Sequence, residues 1–197
     1  MPRFFIKRDL PANVGDFIAI DGQDAIHIRR SLRMNVGDSL VLCDEQGHDY
    51  QTSIDAFDQD VVVLKVNEVM KNCTEPSVKV TLYQGLPKSD KLETIIQKCV
   101  ELGVSNVVPV VLSRSIAKPG DKVKNKQERW QKIATEAAGQ SGRGICPQVE
   151  CPITFQELLK RIESEKTLIC YENGGYPLGE QVSREDTSVS LVIGPEG

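Results

Sequence analysis

Ser188-Val-Ser-Leu-Val-Ile-Gly-Pro-Glu-Gly197 closes the chain, and its reading decides the fold. The run from Val189 through Val192 and Ile193 is apolar and rich in β-branched residues, which predicts a buried strand. The strand leads straight into Gly194, Pro195, Glu196 and Gly197. Free φ, fixed φ, a carboxylate and free φ again are the mix used where backbone passes close to a ligand. Ligands in open α/β sheets lie beyond the carboxyl ends of strands, so this ending reads either as a binding loop or as an ordinary Gly-Pro turn. With nothing after Gly197, it also reads as the end of an incomplete chain.

Upstream of that strand, helices and strands alternate. Strands are predicted over Val78–Gln84, Val107–Leu112 and Thr167–Tyr171, with helices near Asp90–Leu102, Gln127–Ala138 and Phe155–Ile162. This pattern predicts a parallel sheet flanked by helices. In the first helix Asp90 is placed to cap, Glu93 to complete a capping box and Gly103 to end it, while Leu92, Ile95, Ile96, Cys99 and Val100 form its apolar stripe. Trp130, Ile133, Ala134 and Ala137 do the same for the second.

Before residue 70 the pattern is different. Phe4–Lys7, Phe17–Ile20, Ser39–Cys43, Tyr50–Phe57 and Val61–Met70 read as strands separated by glycines, the spacing of a small barrel, with one helical insert near Asp24–Arg33. The segment Met70–Pro76 breaks this pattern. It separates a first domain over residues 1–71 from a second over 72–197.

The 197 residues carry a net charge of −4, unevenly spread. Residues 1–34 are net +2, 35–75 net −7, 76–145 net +6 and 146–197 net −5. Such blocks suit one face for an anion and another turned away from it, or simply a solvated surface. Six cysteines lack paired CxxC spacing and only two histidines are present, which argues against a metal site or a Cys-His nucleophile. No apolar run approaches the roughly 20 residues needed to span a membrane, and MPRFFIKRDLP lacks the apolar core of a signal peptide. A cytoplasmic location is expected.

The candidate contacts for an anionic partner are basic or planar polar groups at strand and helix ends. Arg29, Arg30 and Arg33 lie on the helical insert, and Lys88 and Lys91 stand at a helix N-terminus, where an anion is favoured, or are merely exposed lysines. Arg114 follows a strand, and Gln140 and Arg143 sit in a Gly-rich turn. Guanidinium and amide groups there suit phosphates and base edges.

The stretches HIRRSLRMNVGD, KSDKLETIIQKCVELGV, SRS after a strand, RWQKIATEAAGQSGR with a following Pro, and VIGPEG stand in this order. Together they resemble the bacterial 16S rRNA uridine N3-methyltransferase family, of the knotted SPOUT class, across essentially the whole chain. The resemblance implies a PUA-like RNA-binding β-barrel followed by an α/β domain with a trefoil knot that holds S-adenosylmethionine, in a homodimer. It assigns Gly194, Pro195, Glu196 and Gly197 to the cofactor pocket, and Glu172 to an adjoining cofactor loop. Family members continue past GPEG with a segment that threads the knot, and this chain does not contain it. Transfer of a sulfonium methyl to uridine N3 needs in-line positioning and loss of the N3 proton, with no metal. Arg143 or Arg114 is expected either to stabilise the developing uracil anion or to contact phosphate. The competing expectation is a non-catalytic protein that binds rRNA of the small ribosomal subunit on the same fold.

Overall fold

The computed structural model describes residues 1–7, 11–88, 90–112 and 123–195. It divides into two compact units, one of Met1–Glu75 with Gly139–Cys146, the other of Pro76–Ala138 with Pro147–Gly197. The expected architecture is observed: a mixed sheet first, then a parallel sheet with helices.

The first unit contains β1 (Arg3–Phe5), β2 (Phe17–Ile20), α1 (Gly22–Ile26), β3 (Ser39–Cys43), β4 (His48–Asp58) and β5 (Val61–Lys71). Its sheet order is β1-β3-β4-β5-β2, with β1 parallel to β3 and the other pairs antiparallel. The long β4–β5 hairpin carries register shifts at Gln51/Thr52 and Ile54/Ala56, the irregularities that bend a sheet around a core. That core includes Leu40, Leu42, Tyr50, Ile54 and Leu64, all essentially inaccessible. After α1 the chain widens into a π-helical turn, His27–Ser31, in which the Leu32 amide reaches back to the His27 carbonyl at 2.9 Å. The turn buries Ile28 and leaves Arg29 and Arg30 exposed.

The turn from β3 to β4 is fixed by one buried carboxylate. Asp44, 3% exposed, accepts from the amides of Gln46 (2.8 Å) and His48 (3.0 Å) and from the Tyr50 hydroxyl (2.7 Å), and His48 Nδ1 lies 2.8 Å away. Burial alone would raise its pKa, but these hydrogen bonds together outweigh it and hold the carboxyl below its ordinary value. A depressed carboxyl stabilises the fold above its unfolded pKa, about 4, and that contribution disappears as the pH falls through the folded value. Asp44→Asn is therefore expected to be less stable than wild type at pH 7, with the gap narrowing towards pH 3. Urea titrations at the two pH values measure this.

The second unit contains β6 (Lys79–Gly85), α2 (Lys91–Glu101), β7 (Asn106–Val111), α3 (Val123–Ser141), β8 (Gln148–Val149), β9 (Ile153–Thr154), α4 (Phe155–Ile162), β10 (Thr167–Cys170), α5 (Leu178–Gln181) and β11 (Ser188–Ile193). The last three residues of α3 belong to the first unit. The sheet order is β10-β11-β6-β7-β8, with β9 also on β7, and every pairing is parallel. Strand β7, NVVPVV, is buried along Val107–Val110, as a strand covered on both faces must be. Its proline explains why two short strands line its far side. The Val110 carbonyl faces β6, accepting from the Leu86 amide at 2.9 Å, so the alternate residue Pro109 faces the other way. Having no N–H to donate, it falls in the gap between β8, paired at Asn106–Val107, and β9, paired at Val110–Val111.

One helix start differs from the sequence reading. Asp90 occupies the N-cap of α2 but makes no side-chain capping bond, and Glu93 instead pairs with Arg129 at 2.8 Å. A complete capping box forms at α4, between Thr154 and Glu157. Leu92, Ile96 and Val100 form the buried stripe of α2, with Ile95 and Cys99 half-buried beside it. Gly103, with φ +103°, ends that helix, and a Cβ there would lie 2.7 Å from Pro76 Cγ.

Candidate functional site

The parallel register brings three strand ends to one level. Ile193 of β11 is paired with Gln84 of β6 on one side and Cys170 of β10 on the other. The chain leaves β6 towards β7 and returns on the opposite side through β10, so β11 lies at the point where strand order reverses. That is where ligands enter open parallel sheets. The loops beginning there are Gly194–Pro195, Tyr171–Glu172 and Leu86–Lys88.

Gly194 and Pro195 are seated on β6 by two residues that the sequence reading passed over. Gln84 is 4% exposed, and its side-chain amide donates to the carbonyls of Gly85 (3.0 Å) and Gly194 (3.3 Å). A Cβ on Gly85 would stand 2.6 Å from Pro195 Cδ and 2.7 Å from Pro195 N. Only glycine admits the loop this closely. The signal was present in the sequence, as a Gln-Gly pair ending a predicted strand.

This arrangement fits a nucleoside-bearing cofactor. Among the described residues nothing lies within 4 Å of a Gly194 Cβ, which leaves backbone there accessible to a ligand. Glu172 offers an exposed carboxylate for hydroxyl groups, and Tyr171 beside it an exposed aromatic ring for a base. Glu196 and Gly197, and Arg114 among the RNA candidates, lie outside the described residues.

The other candidates are placed as follows. Lys88 is exposed just beyond β6, and Lys91 is exposed at the start of α2. In the first unit, Arg29 donates to the Gln59 carbonyl and lies over the Phe57 ring, 4.9 Å from its centroid. Arg29 and Arg30 line a shallow hollow with Ala25, Ile26, Asp60 and Val62. Arg33 is exposed, with φ +53°. Gln140 is exposed.

Arg143, expected either to stabilise the uracil anion or to contact phosphate, pairs with a carboxylate of its own unit. It is 4% exposed, and its guanidinium grips Glu75, with Nε at 3.0 and 3.1 Å from the two carboxylate oxygens and Nη2 at 2.6 Å. Burial would raise the Glu75 pKa, but the Arg143 hydrogen bonds and charge, joined by the amides of Gly144 and Ile145, hold it below the ordinary value. Among the described residues no three His, Cys, Asp or Glu side chains are grouped to hold a metal ion, and no helix is long and apolar enough to cross a membrane.

Residues 74–197 match the model of an RNA methyltransferase domain, and residues 20–56 that of an RNA methyltransferase PUA domain. The ribosomal RNA small subunit methyltransferase E of Bacillus subtilis is 38% identical over this whole chain, which covers 81% of that protein. This chain belongs to the ribosomal RNA small subunit methyltransferase E family. The Synechocystis methyltransferase E is 32% identical over 87% of this chain, which spans 56% of that relative. The crystal structure of the methyltransferase E from Neisseria gonorrhoeae, bound to S-adenosyl methionine, superposes with a TM-score of 0.89 at 27% identity, over all of this chain and 80% of that one. The methyltransferase E fold is thus carried by both units.

Proposed function

We propose that this protein methylates N3 of a uridine in 16S rRNA of the small ribosomal subunit, using S-adenosylmethionine, and that it works in the cytoplasm as a homodimer. The observation that carries the reading is the 38% identity to an rRNA small subunit methyltransferase over the entire chain, RNA-binding and α/β units alike. The cofactor supplies an electrophilic methyl group on a sulfonium. The protein's task is to hold it in line with the base and exclude water. Gln84 and Gly85 fix the Gly194–Pro195 loop, and Glu172, Gly194 and Pro195, with Glu196 and Gly197 following, hold the cofactor. Arg29, Arg30, Arg33, Lys88, Lys91, Arg114 and Gln140 take the RNA. Phosphate contacts of this kind give register, while the base itself is selected where it is bound.

RNA affinity should fall steeply with salt, because each neutralised phosphate releases counterions. Arg30→Ala should weaken binding across RNA sequences alike and lower the salt slope by about one. Filter binding of 16S-derived RNA at several salt concentrations measures both. The activity is tested with small subunits from cells lacking N3-methyluridine, incubated with methyl-labelled cofactor and digested for mass spectrometry. One labelled N3-methyluridine is expected. Tight binding of the subunits with no incorporation would instead support a non-catalytic assembly protein.

A further inference from the structure

The segment Gly139–Cys146, GQSGRGIC, carries three glycines, and Gly142 has φ +77°. Gly139–Ser141 end α3, and the five residues after it form a glycine-bearing loop that is costly to hold in one conformation. The first unit nevertheless holds it with a set of groups remote in sequence, and Glu75 is their hub. Its carboxylate receives the Arg143 guanidinium and also the amides of Gly144 (2.9 Å) and Ile145 (3.1 Å). Glu45, in the β3–β4 turn fixed by Asp44, receives the Cys146 amide at 3.1 Å. Arg3, held by Asp49 at 2.8 Å, donates to the Arg143 carbonyl at 3.3 Å. Asp49 also receives the side-chain amide of Asn72, 3.0 Å from each oxygen. That Asn72 side chain fills the space a Gly144 Cβ would occupy, at 2.1–2.4 Å, so only glycine passes there. At the other end of the segment Gln140 and Ser141 remain exposed.

We propose that Glu75 is a positioning residue for the methylation reaction: it clamps the Arg143 loop to the first unit and thereby presents Gln140 and Ser141 to the RNA. This rests on the reading under Proposed function. It gives the arginine of the GQSGR stretch a task that its burial allows. A guanidinium enclosed on a carboxylate does not reach a base, whereas an ion pair made through Nε and Nη2, joined on the same carboxylate by the Gly144 and Ile145 amides, sets the loop's path. Glu75 touches neither substrate nor cofactor in this account, so its effect should appear in the use of RNA.

The test compares wild type with Glu75→Gln in the full-length protein, measuring steady-state methylation of small subunits, cofactor affinity by calorimetry, and backbone amide spectra. Glu75→Gln is expected to raise the KM for small subunits at least about tenfold, to leave cofactor Kd within about twofold, and to shift or broaden the Gln140 and Ser141 amides. If Glu75→Gln does not fold, Glu75→Asp, which keeps the charge but withdraws it by one methylene, is expected to show the same pattern more weakly. A folded variant with unchanged KM and unchanged Gln140 and Ser141 signals overturns the proposal. If wild type itself methylates nothing, the proposed function fails, while the amide spectra still decide whether Glu75 sets the loop.

Discussion

Gly85→Ala is expected to weaken S-adenosylmethionine binding by about tenfold to a hundredfold while leaving the protein folded. The added methyl cannot be absorbed by a flexible side-chain tip. It meets the Pro195 ring at 2.6 Å and the Pro195 backbone nitrogen at 2.7 Å, with the Gly194 carbonyl carbon at 3.0 Å. Proline is stiff and the other two atoms are main chain, so the loop itself must lift away from β6. Forcing a methyl into a packed site costs about 1–3 kcal/mol, and each 1.4 kcal/mol is about tenfold in affinity. Moving the loop also breaks the 3.3 Å bond from Gln84 to the Gly194 carbonyl. Gly179→Ala serves as the control, because among the described residues no atom lies within 4 Å of its added Cβ and its φ is not in the left-handed region. Calorimetric titration of the two variants should separate them clearly. Equal affinities would mean that the loop's seat on β6 does not shape the pocket.

Arg143→Ala is expected to destabilise the protein by about 2–3 kcal/mol. Breaking a buried pair by removing one partner costs about 3–5 kcal/mol, because the other charge is left without compensation. Here Glu75 is 21% exposed and keeps the Gly144 and Ile145 amides, which lowers the figure. Lys132→Ala removes a contact of 4.0 Å between side chains that are 75% and 61% exposed, and should change stability by no more than about 0.5 kcal/mol. Urea denaturation of both variants checks the contrast. Comparable effects would show that the Arg143 pair contributes no more than a surface contact.

The legible parts of the fold were those written in local pattern. Phe17–Ile20 and Ser39–Cys43 were readable to the residue, and the strand from Val189 to Ile193 and the helix near Phe155–Ile162 to within one residue, because alternation, β-branched runs or a 3.6-residue period fixed them against a glycine or a cap. The two-residue strands β8 and β9 were not, since pairing with β7 alone defines them and Pro109 alone divides them. The π-helical turn at His27–Ser31 was read as a continuous helix, the spacing of Ile28 and Leu32 being compatible with both. At the site, glycine-proline chemistry after the last strand marked Gly194 and Pro195, and Glu172 stood beside a predicted strand end. Gln84 and Gly85 carried only the local signal of a Gln-Gly pair at a strand end, and their role appears once β6 and β11 are neighbours. Glu75 and Arg143, 68 residues apart, were legible separately as charged residues and not as a pair. Capping signals gave a mixed yield: Asp90 and Glu93 had the spacing, but Arg129 drew the Glu93 carboxylate away from the helix start.

The central claim is that the cofactor sits at the carboxyl ends of β6, β10 and β11. Titrating S-adenosylmethionine into the isotope-labelled protein and following its backbone amides tests this directly. The largest shifts are predicted at Gln84, Gly85, Tyr171, Glu172 and Gly194, with the first unit little changed. Saturable binding whose shifts fall on the first unit and spare these three strand ends would contradict the account.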